Sequence, residues 1–122
     1  MIGHARAEHP AECCGLLLGR DGRIVEAVPA ANLSDDLNRY VIDPKDHIAA
    51  RRAARERGHS VVGFYHSHPH SEARPSPTDI REASYPDLVY AIVGLASEPP
   101  DVRLFRLPGV GDEVVEIPLE IV

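Results

Sequence analysis

The sequence predicts an α/β protein with a mixed sheet and helices on both faces. Three observations carry this reading. Short apolar runs of strand length recur at Cys13–Gly19, Val61–Tyr65 and Leu88–Leu95. Helical stretches opened by Pro44 and Pro77 are interleaved with them. Most strand connections are hairpin-like, which makes the sheet mixed.

Taken in order, residues 1–9 read as the last turns of a helix, stopped before Pro10. Cys13 to Gly19 is an apolar run flanked by glycines, a central strand. Arg20-Asp21-Gly22-Arg23 is a hairpin turn into Ile24–Pro29. Asn32 to Asn38 is polar loop, and Tyr40-Val41-Ile42 is expected to be a short strand. Pro44 opens a helix through His47, Ile48, Ala49, Ala53 and Ala54, closed by Gly58. The strand from Val61 runs on to His68, and a helix is expected from Pro77 to about Ser84. Leu88 to Leu95 is another buried strand. Val102–Leu107 and Val114–Ile121 alternate as an antiparallel pair around Pro108-Gly109-Val110-Gly111.

The chain has 122 residues, the size of one domain, and no interior linker or repeat. Its 43% apolar and 26% charged residues are those of a soluble globular protein. A net charge of −6 without a basic cluster argues against nucleic-acid binding. No apolar run approaches a membrane span, and the first residues lack a signal peptide's apolar core. The expected compartment is the cytoplasm. Cys13 and Cys14 are adjacent, point opposite ways in a strand and offer no disulfide framework.

The chemistry is concentrated between Tyr65 and Asp79. There His66-Ser67-His68 is followed, after seven intervening residues, by Ser76-Pro77-Thr78-Asp79. Positions i and i+2 of a strand share a face, so both imidazoles can meet one metal from the end of a stiff element. The helix opened by Ser76-Pro77 brings Asp79 back. Two nitrogens and one oxygen leave a fourth tetrahedral position open, the arrangement of a catalytic zinc. Ser76, Pro77 and Asp79 equally fit an ordinary helix N-terminus, with serine at N-cap, proline at N1 and an acid at N3. His4, His9, His47 and His59 read as packed or surface residues, and His70 as a rim residue. Ser67 faces away from the metal and anchors backbone.

Water on such a zinc has its pKa lowered to about 7 and needs a group to take its proton. Glu12, at the mouth of the Cys13–Gly19 strand, is the leading candidate. Glu72 and Glu82 are rivals, and spacing does not choose among the three.

A glutamate before an apolar strand, then His-Ser-His-Pro, six residues, Ser, two residues and Asp, resembles the JAMM (MPN-plus) metalloprotease family. The stretch Pro10–Gly19 looks like that of its compact bacterial members, among them peptidases acting on ubiquitin-like sulfur-carrier proteins. The resemblance covers nearly the whole chain. It implies a cytidine-deaminase-like α/β/α sandwich, with His66, His68 and Asp79 as zinc ligands. It also implies Glu12 as general acid/base and Ser76 as the hydroxyl that steadies the tetrahedral intermediate. The implied substrate is the C-terminal tail of a ubiquitin-like carrier, and Asn32–Tyr40 is where part of its groove is expected. Two other functions stay open: a non-catalytic scaffold of the same fold, and a zinc hydrolase of small amides.

The chain departs from the family at its start. Members usually have a strand and most of a helix before the segment resembling His4-Ala5-Arg6. Either the start is misassigned or an edge strand is lacking. An exposed edge would favour a homodimer.

Overall fold

The computed structural model describes residues 1–119. Six strands form one sheet in the order β2-β1-β3-β4-β5-β6. They are β1 (Cys14–Arg20), β2 (Arg23–Ala30), β3 (Ser60–His68), β4 (Val89–Gly94), β5 (Asp101–Arg106) and β6 (Val115–Ile117). Three helices accompany them: α1 (Ile2–Glu8), α2 (Pro44–Glu56) and α3 (Pro77–Glu82). Neighbouring strands are antiparallel except β3 and β4, which run parallel. The sheet is therefore mixed, as the sequence predicts.

Alternation along the strands divides the core into two layers. Leu16, Leu18, Phe64, Tyr90 and Ile92 face α2 and α3, meeting Ala50, Ala54 and Ile80. Leu17, Tyr65, Ala91 and Val93 face α1, meeting Ala5. Cys13 joins the second layer and Cys14 the first, both as free thiols. Burial pushes the Cys14 thiol up to about 12.

The local signals account for most boundaries. Asp21 and Gly22 both have positive φ, +52° and +75°, the geometry of a two-residue hairpin loop. Asp43 caps α2, accepting from the Lys45 amide at 2.9 Å, and Pro44 occupies the first helical turn. Gly58, at φ +74°, turns the chain out of α2.

Three expectations need correction. Tyr40-Val41-Ile42 is not a strand; one isolated bridge joins Ile42 to Asn32. A strand forms only when a neighbour continues the ladder, and here the opposite segment turns away after Leu33. The helix from Pro77 stops at Glu82, and Ala83 is already extended. The strand expected at Val114–Ile121 is Val115–Ile117, and Ile121 lies outside the described residues.

Candidate metal centre

Every second residue of β3 faces the α2 layer, so Phe64, His66 and His68 share that side. His66 is fully buried and His68 is 6% exposed. After His68 the chain loops over the end of β4 and enters α3 at Ser76. The loop lies tight against Gly94, where a Cβ would meet the Ala73 nitrogen at 2.5 Å. Ser76 and Asp79 form a reciprocal cap: the Asp79 amide donates to Ser76 Oγ at 3.0 Å, and the Ser76 amide donates to Asp79 Oδ2 at 2.9 Å. The helix-terminus reading of these residues is therefore realised, and it is what fixes Asp79 Oδ2 in place.

That oxygen meets both imidazoles. His66 Nε2 lies 3.2 Å and His68 Nε2 3.0 Å from Asp79 Oδ2, and the two Nε2 atoms are 3.2 Å apart. Tetrahedral ligands with bonds of about 2.0–2.1 Å stand about 3.3 Å from one another. The triangle is thus close to the size that one zinc ion requires. The donors are two imidazole nitrogens and a carboxylate oxygen, all buried. Among the described residues this is the one His/Cys/Asp/Glu group that could hold a metal ion.

His68 Nδ1–H donates to the Glu72 carbonyl at 2.9 Å, so the neutral ring presents the Nε2 lone pair inward. Burial opposes charge on His68, but the hydrogen bonds to Asp79 and to the Glu72 carbonyl raise its pKa above the ordinary imidazole value. Burial holds the His66 pKa below that value despite Asp79. Burial also pushes the Asp79 carboxyl upward, yet the hydrogen bonds from His66 and His68 outweigh it and hold Asp79 well below the usual range. Tyr40 lies flat on His66, ring centroids 4.3 Å apart.

Glu12 sits just before β1 and is 5% exposed. Its Oε1 is buried without a hydrogen-bond partner. Burial raises its pKa to about 7, and the charges of His68 and Asp79 act on it in opposite senses. The rivals are otherwise engaged. Glu82 holds Arg39 in a two-toothed ion pair with contacts of 2.6–3.0 Å, and Glu72 is exposed beside Arg74. Both pairs depend on side-chain directions that spacing does not reveal. Ser67 faces the opposite side of β3 and accepts the Cys13 amide at 2.8 Å, joining the ligand strand to the Glu12 segment. His70 is exposed and packs edge-on against His9, ring centroids 4.9 Å apart.

Three contributors escape sequence reasoning. The Glu72 backbone carbonyl, rather than its carboxylate, orients His68. Tyr40 covers His66, and an aromatic ring inside a polar segment is the signal that could have marked it. Asn32 organises the loop that carries Tyr40, although its position at the head of a polar stretch gives no hint of this.

A cavity of about 340 Å³ adjoins Asp79, lined by Tyr40, Ile42, Phe64, Thr78 and Tyr85 among others.

Comparison with known proteins follows the same lines. A family model described as prokaryotic homologs of the JAB domain matches residues 1–108. The chain is 38% identical to a protein named desampylase from Haloferax volcanii, over 96% of this chain and 86% of that one. It is 34% identical to a CysO-cysteine peptidase of Mycobacterium tuberculosis, over 100% of this chain and 84% of that one. A solution structure of a Desulfitobacterium hafniense protein superposes with a TM-score of 0.86 at 37% identity, covering 96% of this chain and 82% of that one. The chain belongs to the prokaryotic JAB-domain family.

Proposed function

We propose that this protein is a zinc metallopeptidase that hydrolyses an amide bond at the C-terminal tail of a ubiquitin-like, sulfur-carrier type protein. The observation that carries the reading is the zinc-sized triangle of His66, His68 and Asp79, with a buried carboxylate of raised pKa beside it. The relatives' names supply the substrate class. The reading takes the chain as one domain working in the cytoplasm.

His66 Nε2, His68 Nε2 and Asp79 Oδ2 would hold the ion. When bound, zinc supplies Lewis acidity to the scissile carbonyl and makes a water acidic enough to attack near neutral pH. Glu12 accepts that water's proton and passes it to the leaving amine. Burial lifts this carboxyl above the ordinary carboxylate range, toward the region where giving and taking a proton both cost little at physiological pH. Ser76 Oγ already accepts the Asp79 amide, and its own proton remains available to donate to the oxygen that gains charge. His68, fixed by the Glu72 carbonyl, keeps its Nε2 inward throughout.

Glu12→Gln tests the assignment. Glutamine nearly matches the size but cannot accept the proton, and the three ligands are untouched. Turnover of a carrier-protein conjugate should fall by about two to four orders of magnitude while zinc content stays at one ion per chain. A Glu12→Gln protein that cleaves at the wild-type rate would remove the proposed role of Glu12. A zinc-loaded wild type that cleaves no conjugate would remove the proposed function.

A further inference from the structure

Glu12 poses a problem of placement. Its Oε1 is buried and takes no hydrogen bond from any side chain or amide of the described residues. The backbone at Glu12 and Cys13 therefore has a large share in placing its carboxylate. Two side chains hold that backbone. Ser67 Oγ accepts the Cys13 amide, as described, and Asn32 Nδ2 donates to the Glu12 carbonyl at 3.0 Å.

Asn32 does more than this. Its Oδ1 accepts the amides of Ser34 and Val41, each at 2.9 Å, and its Nδ2 also reaches the Arg39 carbonyl at 3.3 Å. With the backbone bonds from Leu33 to Val41 (2.8 Å) and from Asp43 to Ala31 (3.0 Å), these close residues 32–42 into a compact arm. The arm is tied at its far end too, since Arg39 grips Glu82 on α3, three residues beyond Asp79. Between these ties Tyr40 rests on the face of His66. One amide side chain therefore touches the backbone of the proposed base and the loop whose ring presses on a proposed ligand.

We propose that Asn32 is a positioning residue that sets the register between Glu12 and the metal centre. The proposal deepens the peptidase reading and rests on it for its kinetic consequence. Asn32 touches no reacting atom and acts through Glu12. The physical reason it can matter is that proton transfer needs the base within hydrogen-bond reach, so a displacement on the order of 1 Å can cost about a hundredfold.

Asn32→Asp separates the two ends of the side chain. The carboxylate keeps an acceptor for Ser34 and Val41, so the arm can still close. It loses the donor to the Glu12 carbonyl and sets oxygen against oxygen there. For the zinc-loaded protein, kcat on a carrier-protein conjugate should fall about tenfold to a hundredfold, with KM within twofold and zinc per chain unchanged. In the same variant the Val41 amide should stay protected from hydrogen exchange, while the Glu12 carboxyl carbon resonance moves. Should Asn32→Asp fail to fold, Asn32→Ala takes its place, because water can reach the exposed Arg39 and Val41 ends of the arm; it should show the same kcat loss and shifted resonance. A kcat within twofold of wild type overturns the proposal. So does a kcat that falls only in proportion to the folded or zinc-loaded fraction, since that is what a merely structural residue would give. If wild type cleaves no conjugate, the peptidase reading fails by itself. The Glu12 resonance then decides the placement claim, and an unmoved signal overturns it.

Discussion

Each titratable residue of the centre has a pKa set by a different contest. Glu12 is governed by burial alone to first order, because no donor compensates its buried oxygen. As the proposed base it must be ionised, so kcat/KM should rise with pH and level off above the Glu12 pKa. Burial places that pKa at about 7, and a bound dication draws it lower. The limb should therefore turn over at or below about pH 7, with a slope of one decade per pH unit beneath it, and Glu12→Gln should abolish the limb. A Glu12→Gln variant whose residual activity keeps the wild-type limb would contradict this. His68 and Asp79 differ in how much a substitution removes. His68→Ala deletes a nitrogen donor and should lose most of the zinc at micromolar free metal. Asp79→Asn keeps an oxygen but not its charge, so it should weaken zinc binding by less. Titration with a metal-competing dye orders the two, and the reverse order would contradict the ligand set. How far these residues could be read in advance depended on whether their partners were local. The shared face of His66 and His68 follows from strand geometry. What distinguishes Glu12 from Glu72 and Glu82 is its burial and the arginine that Glu82 holds, and Arg39 stands 43 positions from Glu82.

At the scale of elements, the centre depends on how β3, the loop after it and α3 are wedged against the end of β4. Leu95 donates its amide to the His68 carbonyl at 3.1 Å, and Gly94 offers no side chain to the loop passing over it. Its missing Cβ would stand 2.5 Å from the Ala73 nitrogen and 2.9 Å from the Glu72 carbonyl carbon. Gly94→Ala must move that backbone, and the Glu72 carbonyl is what orients His68. The variant should fold, since the rest of the sheet is untouched, yet bind zinc about tenfold or more weakly, as expected when an outer partner of a ligand is disturbed. Competition titration checks it, and wild-type affinity would show that the loop yields elsewhere. The elements most legible in the sequence were those with local punctuation, such as the Asp21-Gly22 turn and the Pro44 and Pro77 helix starts. The strand expected at Tyr40–Ile42 failed because its β-favouring residues had a partner at one position only. What holds that segment is the Asn32 side chain, which periodicity does not register.

Across the whole molecule, two half-cores lie on opposite faces of one sheet, and the metal centre closes the end of one of them. Without metal, that end packs two imidazoles and a carboxylate together in a buried place. An ion that binds only the folded chain adds its binding energy to stability, about 4 kcal/mol when free metal stands a thousandfold above its dissociation constant. Chelation should therefore lower the midpoint of thermal unfolding by several degrees, and added zinc should restore it, as differential scanning calorimetry can show. An unchanged midpoint would mean that the ion makes no contact specific to the fold. Among the described residues, β3 and β4 are the sole parallel pair, and the three metal-facing atoms come from the end of β3 and the crossover that leaves it. This has a consequence for the order in which the centre can assemble. His68 and Asp79 are 11 positions apart, whereas the tie from Cys13 to Ser67 that seats Glu12 spans 54. By chain entropy the longer closure costs about 1.4 kcal/mol more. A partly folded chain can thus bring the three proposed ligand atoms together before β1 has zipped onto β3, and in that state the proposed base is not yet seated. On the proposed reading, proteolytic competence waits for the long-range tie from Cys13 to Ser67, because that tie seats Glu12.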